Sequence, residues 1–472
     1  MDSPGPADLE RLVIRLRQLL GADHVITDAD QRAGYETDWT RRFSGTATAV
    51  LRPATTDEVA AVLRECAGEQ IAIITQGGNT SLVGGSVPRH RDGEHDDRHR
   101  PQFVLSTQRL TRMDPVDHAA MQVTVGAGVT LAEWRDHARS TGVDIPVDFA
   151  ARDSATVAGA IATNAGGSRV VRFGTMRRQV VGIEAVLANG EIIGSLTGLV
   201  KQTAGADLGG VLAGSEGTLA VICAARLRVV PWYRQVATAM VALDRFDRAL
   251  EVLGALASAT DDLDSIEFIS PETLELVAAH LGRRAPAHCA DAALYLVVEL
   301  AGHHDPTDAL IAVLDRCDGV LDTAVATDSA SRAHLLASRD RITESINTIG
   351  IPLKLDVAVA PRDLEALIDL ARAAAHRHRG RLFAFGHLAE GNVHLNLLGL
   401  DDTGAIDAVT DEVLTAVADA GGTISAEHGI GIAKARWLPL IRTAAEIEVL
   451  TGIRRAFDPD GVMNPGVLDP NV

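Results

Sequence analysis

The strand-like run Ile71-Ala72-Ile73-Ile74 passes almost directly into Gln76-Gly77-Gly78-Asn79-Thr80-Ser81-Leu82-Val83-Gly84-Gly85. Glycines let backbone N–H groups turn inward and approach a polyanion closely, so this turn reads as a nest for phosphates. Its spacing fits neither the Rossmann fingerprint nor the lysine-bearing phosphate loop. A nucleotide bound here therefore calls for another architecture. A glycine-rich turn by itself is more often only a turn, so the reading depends on the other motifs.

The segment 154–167 is built almost wholly from small residues, among them Thr156, Gly159, Thr163, Asn164, Gly166 and Gly167. Such a stretch would let a large planar body pack against backbone; a tightly packed helix with a glycine C-terminus accounts for the same pattern. Around it, residues 9–20 show helical periodicity, Thr56 reads as an N-cap before Asp57 and Glu58, and a helix is expected over 131–140. Asn189-Gly190 predicts a hairpin turn between strands at 180–188 and 191–193. The charged insert between Pro88 and Pro101 contains His90, His95 and His99 and reads as a solvated loop, because nothing rigid orients those imidazoles. Gly214-Ser215-Glu216-Gly217 is a second glycine-bounded polar turn.

From Gln235 onward longer strands and helices alternate, indicating a separate α+β domain. Within it, apolar alternation before His387 and after Asn392, with Glu390-Gly391-Asn392 as turn chemistry, predicts a hairpin that brings His387 and His394 to one end. Asn396, two residues beyond His394, shares its face. Glu427 of Ala426-Glu427-His428-Gly429 would add an oxygen ligand. Two imidazoles and one carboxylate suit Zn²⁺ and tolerate Mn²⁺, Fe²⁺ or Co²⁺, and three protein ligands leave positions open for a substrate. His428 would then serve as base toward a metal-bound hydroxyl. Surface or satisfied core histidines remain the plain account in a chain with 16 of them. Arg339 and Thr343, at i and i+4, would share a helix face, with Lys354 on a following strand; the three would hold a carboxylate, or form a solvated face with Asp340 and Glu344.

At 472 residues two or three domains are expected. A net charge of −19 disfavours nucleic acid and anionic membrane as partners. Cys66, Cys223, Cys289 and Cys317 are widely spaced with no CxxC, which argues against a disulfide framework and for a reducing cytosol. The N-terminus lacks a basic region followed by an apolar core, and no run reaches the roughly eighteen uncharged apolar residues of a bilayer span. A cytoplasmic protein without a transmembrane segment is expected, and a peripheral contact with the inner membrane stays open.

Six segments in one order carry a resemblance: 77–85, 162–167, 214–219, 386–396, 426–429 and Met463-Asn464-Pro465-Gly466. Together they resemble the flavoproteins of vanillyl-alcohol oxidase type, in their D-2-hydroxyacid dehydrogenase branch, over 52–466. The resemblance implies an α+β chain: a two-subdomain FAD-binding domain over 1–232, an α+β substrate-binding domain over 233–415, and a small helical C-terminal part over 416–472 that completes the active site. It implies that FAD is held by Gln76, Gly77, Gly78, Asn79, Thr80, Ser81, Gly84 and Gly85 in the glycine loop. Pro146, Thr156, Gly159, Thr163, Asn164, Gly166, Gly167, Glu216, Gly217 and Asn464 are the further FAD contacts it implies. Asn79 stands where covalently flavinylated relatives often carry His, which implies non-covalent FAD.

The same resemblance assigns His387, His394 and Glu427 as metal ligands, His428 as the base and Asn396 as a substrate contact. The segment 338–344 followed by Lys354-Leu355-Asp356 is similar to D-2-hydroxyglutarate-oxidising members, in which the matching Arg, Thr and Lys bind the substrate's carboxylates. The implied activity is oxidation of a D-2-hydroxy dicarboxylic acid, D-2-hydroxyglutarate or D-malate, to the 2-oxo acid; a D-lactate or glycolate dehydrogenase is the alternative. An acceptor such as electron-transfer flavoprotein or quinone would take the electrons, and a homodimer is compatible. The chain departs from the family at Thr203, Ala204 and Ala206, usually Asn, Thr and Tyr, and at Val467, frequently Lys. Those departures bear on flavin packing rather than on FAD binding.

Overall fold

The computed structural model describes residues 4–89, 100–400 and 402–470; His90, His95 and His99 of the charged insert lie outside the described residues. The chain forms two compact units. One comprises Met1–Ala165, Thr175–Pro231 and His428–Val472, the other Gly166–Gly174 and Trp232–Glu427.

In the first unit, Val25–Ile26, Ala49–Leu51, Gln102–Ser106 and Ala72–Gln76 form one sheet in that order, the last three strands parallel. Parallel strands are covered on both faces, which is why these read as apolar runs rather than alternations. The helix Thr56–Cys66 joins two of them and buries Val59, Val62 and Leu63. Its N-cap is Thr55, not Thr56: the Thr55 side chain accepts the Glu58 N–H while Thr56 is already helical. Either threonine satisfies the residue-type rule, and only backbone geometry separates them. A second sheet, antiparallel, runs Gln122–Gly126, Val221–Arg228, Val180–Val186, Ile192–Ser195, with Asn189-Gly190 in the expected turn. Against the core sits the helix Leu131–Ser140, its start fixed by a Thr130/Glu133 capping box and its Trp134 fully buried.

The second unit is built on an antiparallel sheet, in the order Val320–Val325, Gln235–Leu243, Leu294–Gly302, Leu263–Ile269, Arg381–His387, Asn392–Leu398, Leu353–Ala358. Helices Phe246–Ala259, Pro271–Leu281 and Leu364–Arg377 pack on it. The expected continuous helix carrying Arg339 and Thr343 is instead two helices, Ser329–Asp340 and Ile342–Asn347. Arg341 between them has φ −92° and ψ 3°, outside the helical well, so Arg339 and Thr343 do not stand on one regular helix.

Candidate active site

The register of the second unit's sheet gathers polar residues on one face. His387 pairs with Glu267 on one side and Asn392 on the other, His394 with Phe385 and Asp356, and Asn396 with Lys354. Cross-strand partners and residues two apart share a face, so these positions form a continuous patch. His387, His394 and Asn396 are all buried. The ligand atoms of His387, His394 and Glu427 all lie within 4.8 Å of one another. Glu427 places Oε1 3.0 Å from His387 Nε2 and Oε2 4.0 Å from His394 Nε2.

Each imidazole is backed by a carboxylate on its other nitrogen. Nδ1 of His387 contacts Glu267, and Nδ1 of His394 lies 3.3 Å from Asp356 Oδ1. Such pairs fix the ring orientation and turn Nε2 toward a shared point. Glu267 also accepts from Arg339 Nε at 2.6 Å, and the Arg339 guanidinium lies 4.7 Å over the Phe385 ring. Asp356 does more still: Oδ1 accepts from Asn392 Nδ2 at 3.0 Å, and Oδ2 accepts the backbone N–H of Glu427 at 2.7 Å and of Ala426 at 3.2 Å. The Glu427 carboxylate accepts the N–H of Gly167 at 2.6 Å, and a Cβ on Gly166 would sit 3.1 Å from that same oxygen.

Burial works against charge on His387, and the carboxylates of Glu267 and Glu427 outweigh it, raising the imidazole to about 10. Burial likewise opposes ionisation of Glu267, but His387 and Arg339 hold it down at about 2. Glu390, in the hairpin loop, is pushed up to about 7 by burial, which outweighs the opposing effect of His387, with Glu267 and Glu427 adding to the rise; its Oε1 is buried without a hydrogen-bond partner. Two imidazole nitrogens and a carboxylate converging within one ligand sphere, beside an orphaned buried oxygen, fit a borderline-soft divalent cation.

The first unit brings the glycine motifs together. A Cβ on Gly77 would lie 2.2 Å from Thr156 Oγ1, and one on Gly78 1.9 Å from the Ser154 carbonyl oxygen, so the glycine loop lies directly on the small-residue run. Asn79 (φ 54°), Leu82 (φ 65°) and Gly84 (φ 70°) turn the loop through left-handed backbone. The side chains of Gln76 and Asn79 brace it internally: Gln76 Nε2 donates to the Tyr35 and Ser86 carbonyls, and Asn79 Nδ2 to that of Thr37. Thr80, Ser81 and Gly85 complete the turn, and Pro146 is buried. Thr156 caps the helix Val157–Thr163, which contains Gly159 and ends on Asn164 at φ 52°. Asn464 Nδ2 donates to the carbonyls of both Gly85 and Glu216, locking the loop to the Glu216-Gly217 turn. Backbone this close, with no room for side chains at Gly77 and Gly78, fits a cradle for a dinucleotide's phosphates.

Family models match two stretches of the chain. Residues 47–195 match the FAD binding domain family, and 233–468 match the C-terminal domain of FAD linked oxidases. A D-2-hydroxyglutarate dehydrogenase of Xanthomonas citri pv. viticola is 35% identical over 97% of this chain and 96% of its own. The mitochondrial D-2-hydroxyglutarate dehydrogenase of Rattus norvegicus is 32% identical over 93% of this chain and 82% of its own. The chain belongs to the FAD-linked oxidases. Within that family it falls in the D-2-hydroxyacid dehydrogenase branch of vanillyl-alcohol oxidase type flavoproteins, oxidoreductases acting on a CH–OH group. Among solved structures, a substrate-bound p-cresol methylhydroxylase matches with a TM-score of 0.78 at 17% identity, covering 99% of this chain and 98% of that one. An alkyldihydroxyacetonephosphate synthase matches with a TM-score of 0.74 at 15% identity, over 98% and 86%. At those identities the likeness concerns the fold of the FAD-linked oxidases alone. Among the described residues no helix is long and apolar enough to cross a membrane.

The residues that orient the cluster in this FAD-linked oxidase, Glu267 and Asp356, are not singled out by sequence reasoning. A signal existed for each: a lone carboxylate inside an apolar strand run, Ser265-Ile266-Glu267-Phe268-Ile269 and Leu355-Asp356-Val357. Carboxylates are seldom buried without partners, so such positions mark networks.

Proposed function

We propose that this protein oxidises a D-2-hydroxy dicarboxylic acid, D-2-hydroxyglutarate foremost and D-malate as a second diacid, to the 2-oxo acid, using non-covalent FAD and a divalent metal, Zn²⁺ best matching the donors. The supporting observation is the convergence of His387, His394 and Glu427 with a carboxylate behind each imidazole. When bound, FAD supplies a two-electron hydride acceptor and the metal a Lewis acid. His387 and His394 would hold the metal through Nε2 and Glu427 through its carboxylate. His428, the next residue in the chain, would take the hydroxyl proton as the hydride leaves carbon. Asn396 would contact the substrate from the strand face it shares with His394. Arg339, oriented by Glu267, would hold the distal carboxylate with Thr343 and Lys354; losing such a charged partner costs about 2–5 kcal/mol when buried. Electrons would pass on to an acceptor such as electron-transfer flavoprotein or quinone.

The test is anaerobic mixing of metal-analysed protein with D-2-hydroxyglutarate, D-malate or D-lactate while the flavin absorbance is followed. The diacids should bleach the flavin and lactate should do so weakly. Bleaching by lactate alone would discard the distal clamp. His387→Ala should keep FAD and lose metal, whereas His428→Ala should keep both and lose flavin reduction.

A further inference from the structure

We infer that Glu216 is a positioning residue for His428, fastening the backbone that follows it, rather than a side-chain ligand of FAD; this rests on the reading of His428 as the base. Both oxygens of the Glu216 carboxylate are engaged by that backbone: Oε1 accepts the N–H of Ile430 at 2.8 Å and Oε2 that of Gly431 at 2.7 Å. Burial pushes the Glu216 carboxyl up to about 7 against the opposing pull of these two N–H groups and Lys434, and when ionised it makes bonds to the two successive amides roughly twice as strong as neutral ones. The residue directly after His428 is shaped to the same carboxylate. Gly429 has φ 86°, and a Cβ there would stand 2.8 Å from Glu216 Cδ and 2.9 Å from each oxygen, so the carboxylate occupies the space a side chain would need.

The anchor is itself built in. Glu216 sits at φ 49°, a costly conformation for a residue with a Cβ, and its own N–H is bonded to Ala162 O at 2.8 Å. Asn464 Nδ2 holds the Glu216 carbonyl at 2.7 Å. On its far side the segment is tied to the glycine loop: the N–H groups of Ile432 and Ala433 reach the Val83 carbonyl at 3.1 and 3.2 Å, and a Cβ on Gly431 would lie 2.2 Å from that oxygen. His428 is thus the last residue before a stretch clamped from two sides, and of those two clamps Glu216 holds the amides closer to it in the chain, at Ile430 and Gly431. A displacement of about 1 Å in a reacting group can lower a rate by roughly 100-fold.

The experiment compares Glu216→Gln and Glu216→Asp with wild type, alone and combined with His428→Ala, by anaerobic stopped-flow flavin reduction, with bound FAD and metal measured for each. Glu216→Gln keeps the shape but turns an N–H₂ group toward a backbone N–H; it should reduce its flavin ~10- to 100-fold more slowly with FAD and metal retained. Combined with His428→Ala it should lower the residual rate no further, because the two act through one group. Losses that multiply in the double variant, or loss of FAD from Glu216→Gln, would overturn the inference and return Glu216 to a structural or cofactor role. Near-normal reduction by His428→Ala alone would instead overturn the base assignment on which it rests, an outcome visible before any Glu216 variant is considered. Glu216→Asp, which keeps the charge but shortens the reach, should fold and fall between wild type and Glu216→Gln.

Discussion

Asp356 is 1% exposed, and its two oxygens serve three tasks at once: they face His394 Nδ1, accept from Asn392, and hold the backbone N–H groups of Ala426 and Glu427. A neutral amide of the same shape cannot accept on both sides, so Asp356→Asn must present N–H₂ either to Asn392 and the imidazole or to the two backbone donors. Substitutions of such outer-shell carboxylates lower metal affinity by roughly 10- to 100-fold. Asp356→Asn should therefore release Zn²⁺ at correspondingly lower chelator concentration while its FAD content stays unchanged; unchanged chelator resistance would mean that Asp356 does not orient the ligands. The reasons this residue escapes a reading of the sequence are topological. Its partners are 36, 70 and 71 positions away, and Glu267 meets His387 across 120. His387 and His394 are legible through residue type and a local hairpin period, and Glu427 through residue type, whereas a lone carboxylate in an apolar strand marks a supporting position without naming its partners, which appear only once strands from distant parts of the chain are laid side by side.

The same distinction governs the secondary elements. The hairpin Arg381–His387 and Asn392–Leu398 follows from alternation plus a glycine turn, in which Gly391 has φ 67° and a Cβ would meet the Val359 carbonyl at 1.8 Å. The break at Arg341 is not legible, since nothing in Ser338 to Glu344 forbids a continuous helix by residue type. Burial of two cysteines belongs to this scale as well. Cys66 ends the helix Thr56–Cys66 and Cys223 lies on the strand Val221–Arg228, both within the core. Burial pushes the Cys66 thiol up to about 12 and that of Cys223 higher still, with nearby carboxylates adding to both. The thiolate is the reactive form, so raising the pH from 7 to 9 leaves both thiols protonated and inert. Iodoacetamide on the native protein at either pH should label Cys289 and Cys317, which are partly exposed, and leave Cys66 and Cys223 unmodified by mass spectrometry until denaturant is added. Labelling of Cys66 in native protein, rising with pH, would contradict the packing of that helix.

At the scale of the whole molecule each of the two units draws on more than one stretch of the chain. The short stretch Gly166–Gly174 belongs to the second unit although its neighbours on both sides belong to the first. Its two arginines are tied there by Asp264. Arg169 donates to both of its oxygens, from Nε at 2.9 Å and Nη2 at 3.1 Å, and Arg172 Nη1 reaches Oδ1 at 3.2 Å and the Ala301 carbonyl at 2.7 Å. The three side chains are only 11%, 13% and 12% exposed for Arg169, Arg172 and Asp264. Arg172 also stacks 4.2 Å over the Tyr233 ring. Asp264→Ala removes the carboxylate from between two guanidinium groups and leaves Arg172 with the more distant Asp262 at 3.7 Å; removing one partner of a buried pair typically costs about 3–5 kcal/mol. The loss should fall on this stretch first, because Asp264 binds its two arginines, and the Gly167 N–H that donates to Glu427 lies in the same stretch. Limited trypsin digestion reads the effect directly: Arg169 and Arg172 are protected in the native protein, so wild type should yield no peptides ending there, and Asp264→Ala should yield both early in the time course. If the variant is no more readily cut at Arg169 and Arg172 than wild type, the stretch is held by its backbone and packing, and the arginine clasp is incidental to keeping Gly167 against Glu427.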